Sequence, residues 1–219
     1  MLNEGEVKAN LQHYLQVARD VLVWKLDGLS EYDIRRPLTP TATNLLGLIK
    51  HLAAVELGYF GLVFDRPFDG QVAWFRPDLP DDALDPNADM WALPDESREH
   101  IVDVYRRAWA HADATIQALA LDATGNVPWW PAEHRRPTLH SVLVHVLAET
   151  HRHAGHADIV RELVDGAVGL RKDASNLPRA DQACWDRYRD QVERAAQAAG
   201  PTCAAIAMRT PRRDRRRTV

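Results

Sequence analysis

Apolar residues recur every three or four positions in several long stretches of this chain, whereas the alternation typical of a β-strand is weak throughout. Between residues 6 and 27 the apolar positions are separated by steps of four, three and four, at Leu11, Leu15, Ala18 and Leu22. That spacing places apolar side chains on one face of an α-helix. The chain is therefore predicted to fold as helices packed on one another rather than around a sheet.

A second helix is predicted to begin after Thr43, a residue type that suits an N-cap. Its apolar face comprises Leu45, Leu48, Ile49, Leu52, Val55 and Tyr59. The segment 65–94 is different, because it contains five prolines and many aspartates. It is predicted to be a long irregular connection between the second and third helices.

Three more helices are predicted in the second half of the chain. The third covers about 95–119, the fourth runs from the cap residue Thr138 to about Val164, and the last covers 180–198. Gly166 follows the fourth helix and suits its end. The prediction is an all-α protein, with a four-helix bundle and an additional C-terminal helix in one domain over residues 1–200.

Composition favours a globular protein in the cytoplasm. Hydrophobic residues make up 46% of the 219 residues and charged residues 26%, which is enough to build a core. No apolar run reaches 18 residues and the N-terminus lacks an apolar signal segment, so neither a membrane span nor a signal peptide is expected. Cys184 and Cys203 do not form a disulfide framework, and Cys184 is expected to be a small packed residue.

The charge is distributed unevenly along the chain. The last eleven residues carry six arginines against one aspartate, so the rest of the chain is more acidic than the net charge of −4 indicates. An acidic body is a poor nucleic-acid binder. The segment 201–219 is predicted to be a disordered, Arg-rich tail.

The fourth predicted helix carries His145, Glu149 and His153 on one face, at positions i, i+4 and i+8. Eight residues span about 12 Å, too far for one ion to contact both ends. The spacing therefore allows His145 with Glu149, or Glu149 with His153, and His153 with His156 is a third pair. Spacing alone does not choose among them, and a solvated polar face is the plain alternative.

Two observations favour a metal site over a solvated face. Glu149 follows an apolar stripe, so it is expected to point inward, and a buried carboxylate needs a cation or hydrogen-bond donors. His51 is the only histidine on the second predicted helix. Three protein ligands from facing helices would leave one coordination position open, which is typical of a catalytic metal site.

The sequence lacks the motifs of several other kinds of metal or phosphate site. The sequence has no Glu-x-x-His or His-Glu-x-x-His motif and no glycine-rich phosphate loop. Trp129 and Trp130, which precede the fourth helix, are expected to be lid or core residues, although paired tryptophans near a pocket can also hold a ligand.

Four segments together resemble the DinB-like helical-bundle metalloproteins: LLGLIKHLAAVE (45–56), VPWW (127–130), TLHSVLVHVLAETHRHAGHADIVRE (138–162) and DGAVGLR (165–171). More narrowly, the chain is similar to an actinobacterial branch that includes mycothiol-dependent enzymes. The resemblance covers roughly residues 6–195, and the Arg-rich tail lies outside it.

The resemblance implies a metal triad made of one residue from the second helix and an i, i+4 pair from the later helix. The first residue of the pair is His in many members and Glu in the mycothiol-dependent maleylpyruvate isomerase. By this resemblance the ligands are His51, Glu149 and His153, and His145 is excluded. Zn²⁺ is the expected ion, although imidazole and carboxylate also suit Ni²⁺, Mn²⁺ or Fe²⁺.

The function implied is that of a metal-dependent thiol transferase or isomerase that activates a low-molecular-weight thiol, mycothiol, toward a small electrophile. His156 is a candidate for orienting a metal-binding residue without contacting the ion itself. Neither nucleic acid nor a membrane is expected as a partner, and a homodimer is compatible with the sequence. The alternative hypothesis is a non-catalytic metal-binding scaffold with a role in stress response.

Overall fold

The computed structural model of the protein describes residues 3–77, 79, 85, 87–172 and 174–200. In this part of the chain the regular structure is helical, and β-pairing is limited to isolated bridges. The helices are α1 (Glu4–Trp24), α2 (Glu31–Arg35), α3 (Leu45–Glu56), α4 (Arg98–Ala118), α5 (Leu139–Asp165) and α6 (Gln182–Ala199). The predicted all-α, DinB-like bundle is confirmed, and the short helix α2 is an addition to it.

Polar side chains fix where the helices begin. Thr138 caps α5 as predicted, and Gly166 ends that helix in the left-handed region, with φ of 79°. The predicted cap Thr43 is wrong, because the side chain of Asn44 accepts the hydrogen bond from the Gly47 amide at 2.8 Å. Thr and Asn are both good N-caps, so the residue types alone do not separate two adjacent candidates.

Helix α3 continues beyond Glu56 as a π-helical turn, Leu57–Gly61, and a 3₁₀ turn, Leu62–Phe64. The whole segment Leu45–Phe64 has the length and mean hydropathy of a membrane-spanning helix, although Lys50, His51 and Glu56 interrupt its apolar run. However, 72% of its most apolar window is buried inside the protein. The segment is therefore best described as the central core helix of the bundle.

The core forms where α1 packs on α5 and α3 packs on α4. Ile49, Leu52 and Ile101 belong to one buried cluster, and Phe60, Ile116 and Val142 belong to a second. A buried ion pair joins α1 to α3, where Arg19 Nε donates to Glu56 Oε1 at 2.9 Å. Both side chains are almost completely inaccessible to solvent, so each charged group is stabilised by the opposite charge of its partner instead of by water.

The long connection between α3 and α4 is docked on α3 by polar contacts. Lys50 Nζ donates to the Trp91 carbonyl at 2.9 Å and to Glu96 Oε2 at 2.7 Å, and Trp74 Nε1 donates to the Lys50 carbonyl at 3.2 Å. The irregular connection predicted from the prolines is thus present and held in place. This docking matters because it brings an aspartate, Asp89, to the neighbouring residue His51.

The chain divides into two compact units, residues 1–176 and 177–219. The first contains α1 to α5, and the second contains α6. Cys184, expected to be packed, is exposed, because no residue of α6 is buried. The predicted tail, 201–219, lies outside the described residues, and the domain boundary at residue 200 stays a prediction.

Candidate metal centre

The three residues predicted to bind a metal lie together between α3 and α5. One donor atom from each of His51, Glu149 and His153 lies within 4.8 Å of the donor atoms of the other two. His153 Nε2 is 3.2 Å from Glu149 Oε1, and the rings of His51 and His153 are 5.0 Å apart between centroids. The helical spacing places Glu149 and His153 one turn apart, and the packing of α3 supplies His51.

The distances and donor types suit one divalent ion. Two atoms that each lie about 2.1 Å from a tetrahedral ion are about 3.4 Å apart, close to the separation of Glu149 and His153. The three donor atoms lie within 4.8 Å of one another, so they must draw closer to bind a single ion. The His153 side chain is buried, whereas those of His51 and Glu149 are partly exposed. The group therefore has a dry side and an open side, and the open side can admit a fourth ligand.

The surroundings of His153 favour its neutral form. Burial and the neighbouring His51 ring lower the pKa of His153 to about 4, although the Glu149 carboxylate acts in the opposite direction. An imidazole binds metal only when the ligating nitrogen carries no proton. His153 is therefore in its ligand form at neutral pH.

A fourth residue, Asp89, takes part in the site and was not predicted. Asp89 Oδ2 is 2.7 Å from His51 Nδ1, so the Nε2 atom of His51 is left for the ion. Burial acts to raise the pKa of Asp89, but the hydrogen bond and charge of His51 and the charge of Lys50 hold it below its usual value. Asp89 is thus a carboxylate that orients the His51 ring, an arrangement that increases the basicity of the imidazole.

The backbone of the connection presses against α3 just before His51. A Cβ atom added to Gly47 would lie only 1.9 Å from the Met90 carbonyl oxygen. The side-chain amide of Asn44 donates to the same oxygen at 3.1 Å. Only glycine permits this approach, and Met90 follows Asp89 directly. Gly47 therefore helps to set the position of Asp89 against His51.

His156 lies beside His153 on α5. Its Nδ1 atom is 3.3 Å from His153 Nδ1, one turn along α5, and the residue is partly buried. Two ring nitrogens at that distance bond only if one carries the proton, so His156 can fix the tautomer of His153. If His153 Nδ1 carries that proton, its Nε2 atom, which lies beside Glu149, carries none and is free to bind an ion.

His145 belongs to a different group of side chains. Its ring lies 4.8 Å from the Tyr59 ring and 5.0 Å from the Trp130 ring, measured between centroids. The Tyr59 hydroxyl accepts hydrogen bonds from Trp129 Nε1 at 3.3 Å and from Trp130 Nε1 at 3.0 Å. We call Tyr59, Trp129, Trp130 and His145 the aromatic cluster. The pairing of Tyr59 with the two tryptophans was not predicted, because about 70 residues separate them.

Comparison with known proteins agrees with this architecture. The crystal structure of a conserved protein from Enterococcus faecalis superposes with a TM-score of 0.58 at 17% identity, covering 74% of this chain and 98% of that chain. This similarity shows a shared fold. No curated protein matches the chain. The family model for mycothiol-S-transferases matches residues 10–166, well over half of the sequence, and the chain therefore belongs to the mycothiol-S-transferase family.

Proposed function

We propose that this protein joins mycothiol, through its sulfur, to a small electrophile, with one divalent ion, Zn²⁺, held by His51, Glu149 and His153. The observation that carries the proposal is the convergence of these three donor groups in a member of this family. A cytoplasmic location is part of the proposal, because a reducing compartment keeps the thiol available. The electrophile is a small organic molecule with a carbon centre open to attack.

The residues of the chain have separate roles in this proposal. Asp89 holds the His51 ring, and the buried environment keeps His153 neutral. When bound, the ion would lower the pKa of a coordinated thiol, so that the sulfur is present as a thiolate at neutral pH. The thiol proton passes to solvent, and the thiolate sulfur forms the new bond to the electrophilic carbon as the bond from that carbon to its leaving group breaks.

Glu149 also forms an ion pair with Arg152. Arg152 Nη1 donates to Glu149 Oε1 at 3.2 Å, and Arg152 itself is largely exposed. This surface ion pair is weak in water, so it can be exchanged for an ion without a large cost. The arrangement positions the carboxylate of Glu149 beside His153.

The first test is the metal content of the purified protein. We expect about one divalent ion per chain by elemental analysis, and loss of most of it in the double variant His51→Ala/His153→Ala. His151→Ala is the matched control, because His151 lies on the same helix but is exposed and contacts the Tyr14 carbonyl at 3.1 Å. Full retention of metal in the double variant would disprove the assignment of these ligands.

The second test is consumption of mycothiol in the presence of a panel of electrophiles. Loss of free thiol should require the metal-loaded protein and should stop after chelation. Glu149→Gln removes the charge while keeping the shape, so it should lower both metal affinity and rate. If mycothiol is neither bound nor consumed by the metal-loaded protein, the non-catalytic metal-binding scaffold becomes the better description.

A further inference from the structure

The aromatic cluster lies on the same pair of helices as the candidate metal centre. His51 of α3 lies beside His153 of α5, and Tyr59, after α3, lies beside His145 of α5. The two segments therefore run antiparallel, and the two groups lie at two positions along one interface. The separation of eight residues on α5 corresponds to about 12 Å.

The chemistry of the cluster is that of a binding surface for a neutral, polar ring. The Tyr59 oxygen accepts a hydrogen bond from each of the two indoles, so its own proton is what remains to be offered to a ligand. Trp129 exposes 52% of its surface, which provides an accessible flat face. No carboxylate or ammonium group belongs to the cluster, whereas His145 adds a ring with a donor and an acceptor.

The backbone beneath the cluster is also unusual. Tyr59 lies in the π-helical turn Leu57–Gly61, a distortion that is frequent at functional sites. Gly58, in the same turn, lies between Phe75 and Trp129, and a Cβ atom there would be 3.8 Å from each ring. The rings of Trp129 and Phe75 thus both lie close to Gly58, a backbone position that carries no side chain.

We propose that the aromatic cluster binds the sugar-like body of the thiol while its sulfur reaches the metal centre. The identity of the thiol rests on the function proposed above. Mycothiol carries its cysteine on a glucosamine joined to inositol, and the apolar faces of such rings stack on indoles while their hydroxyls accept hydrogen bonds. A small electrophile must meet the sulfur at the metal centre, so it cannot also occupy a cluster about 12 Å away. A thiol with a two-ring body is long enough to span that distance.

The direct test uses the sulfur-free body, N-acetylglucosaminyl-inositol, as the probe, because the acetyl group keeps its nitrogen a neutral amide, as it is in the thiol. Saturation-transfer NMR on the full chain should detect its binding, with or without metal, because the cluster contains no metal ligand. Trp129→Ala should weaken binding by about tenfold, the equivalent of losing one favourable ring contact. Tyr59→Phe should also weaken it, since the hydroxyl proton is lost. Absence of binding to the wild-type protein would overturn the inference.

Trp185→Ala is the matched control for loss of a tryptophan. Trp185 pairs with Tyr188 at 5.9 Å between ring centroids, on α6 in the other unit. Binding of the probe should be unchanged in this variant. Equal losses in the two alanine variants would show that the probe has no preference for the cluster. Two results would show that the Trp129→Ala protein is folded. Its metal content should be unchanged, and a Trp129→Phe variant should bind the probe more tightly than Trp129→Ala does.

Kinetics then separate this inference from the proposed function. In Trp129→Ala the KM for mycothiol should rise about tenfold, and this loss should be larger than any loss with N-acetylcysteine, which lacks the two rings. If the wild-type protein binds the probe but consumes neither thiol, the proposed function fails and the ring-binding site stands. If the wild-type protein is active and Trp129→Ala has the wild-type KM for mycothiol, the function stands and this inference is wrong.

Discussion

Replacing Gly47 by alanine should destabilise the protein, although alanine is the better helix former. The added Cβ atom would lie 1.9 Å from the Met90 oxygen and 2.5 Å from its carbonyl carbon, whereas real Cβ contacts are essentially never below 3.0 Å. The Met90 carbonyl must therefore move by about 1.1 Å. Overpacking of this kind costs about 1–3 kcal/mol, against a gain of about 1 kcal/mol in helix propensity. The expected net loss of stability is up to about 2 kcal/mol.

The same movement should weaken metal binding. Asp89 precedes Met90 directly and is 2.7 Å from His51 Nδ1, so a shift of about 1 Å lengthens this contact beyond the range of a hydrogen bond. Loss of a carboxylate that orients a metal-binding histidine typically lowers metal affinity about 10–100-fold. Competition with a chelator would measure the affinity, and thermal unfolding of the metal-free protein would measure stability separately.

Gly155→Ala is the control that tests the reasoning. Gly155 lies on α5 only two residues after His153, but a Cβ atom there would have nothing within 4 Å. This variant should gain about 1 kcal/mol from helix propensity, or roughly 2–4 °C in Tm, with unchanged metal affinity. If Gly47→Ala raises Tm as Gly155→Ala does and binds metal as tightly as the wild-type protein, the contact with Met90 does not position Asp89.

Four further substitutions address single side chains. Asp89→Ala should lower metal affinity about 10–100-fold in the same chelator competition, and an unchanged affinity would remove Asp89 from the site. His145→Ala should retain the metal by elemental analysis while Glu149→Ala loses it, and the reverse result would move the site by one helical turn. Arg19→Met should cost about 3–5 kcal/mol in unfolding experiments because it leaves the buried Glu56 without its cation. Burial raises the pKa of Glu56 against the effect of Arg19, so this loss should shrink as pH falls and the carboxyl becomes neutral, and a loss that grows on acidification would contradict the argument.

The sequence predicts what a single helix determines. The cap Thr138 and the stop at Gly166 define α5, and helical geometry places Glu149 and His153 one turn apart. Periodicity on one helix does not choose between His145 and His153, because the choice depends on the register between α3 and α5. In the structure, α3 presents His51 beside His153 and the segment after α3 presents Tyr59 beside His145.

The contribution of Asp89 could not be predicted for a different physical reason. It is one of many aspartates in an irregular connection, where no repeating pattern distinguishes one carboxylate from the next. Its position is fixed by tertiary contacts. Lys50 donates a hydrogen bond to the Trp91 carbonyl, and Gly47, which has no side chain, allows the Met90 carbonyl to approach α3. The usable signal is the glycine in the first turn of a core helix, which indicates close approach of another backbone.

Removal of the metal should leave this protein folded, because the contacts that place α3 do not depend on an ion. The helix is fixed by the buried pair of Glu56 with Arg19, by Lys50 on the connection, and by an apolar core on its remaining faces. Chelation should therefore leave the helical circular dichroism unchanged. It should lower Tm only by the binding energy, about 2.7 kcal/mol when free metal is at 100 times its Kd. At roughly 2–4 °C per kcal/mol that is a shift of about 5–10 °C. Unfolding on chelation, as in domains built around a structural ion, would mean that the ion supports the fold. The inference that one coordination position is open for a thiol would then fail.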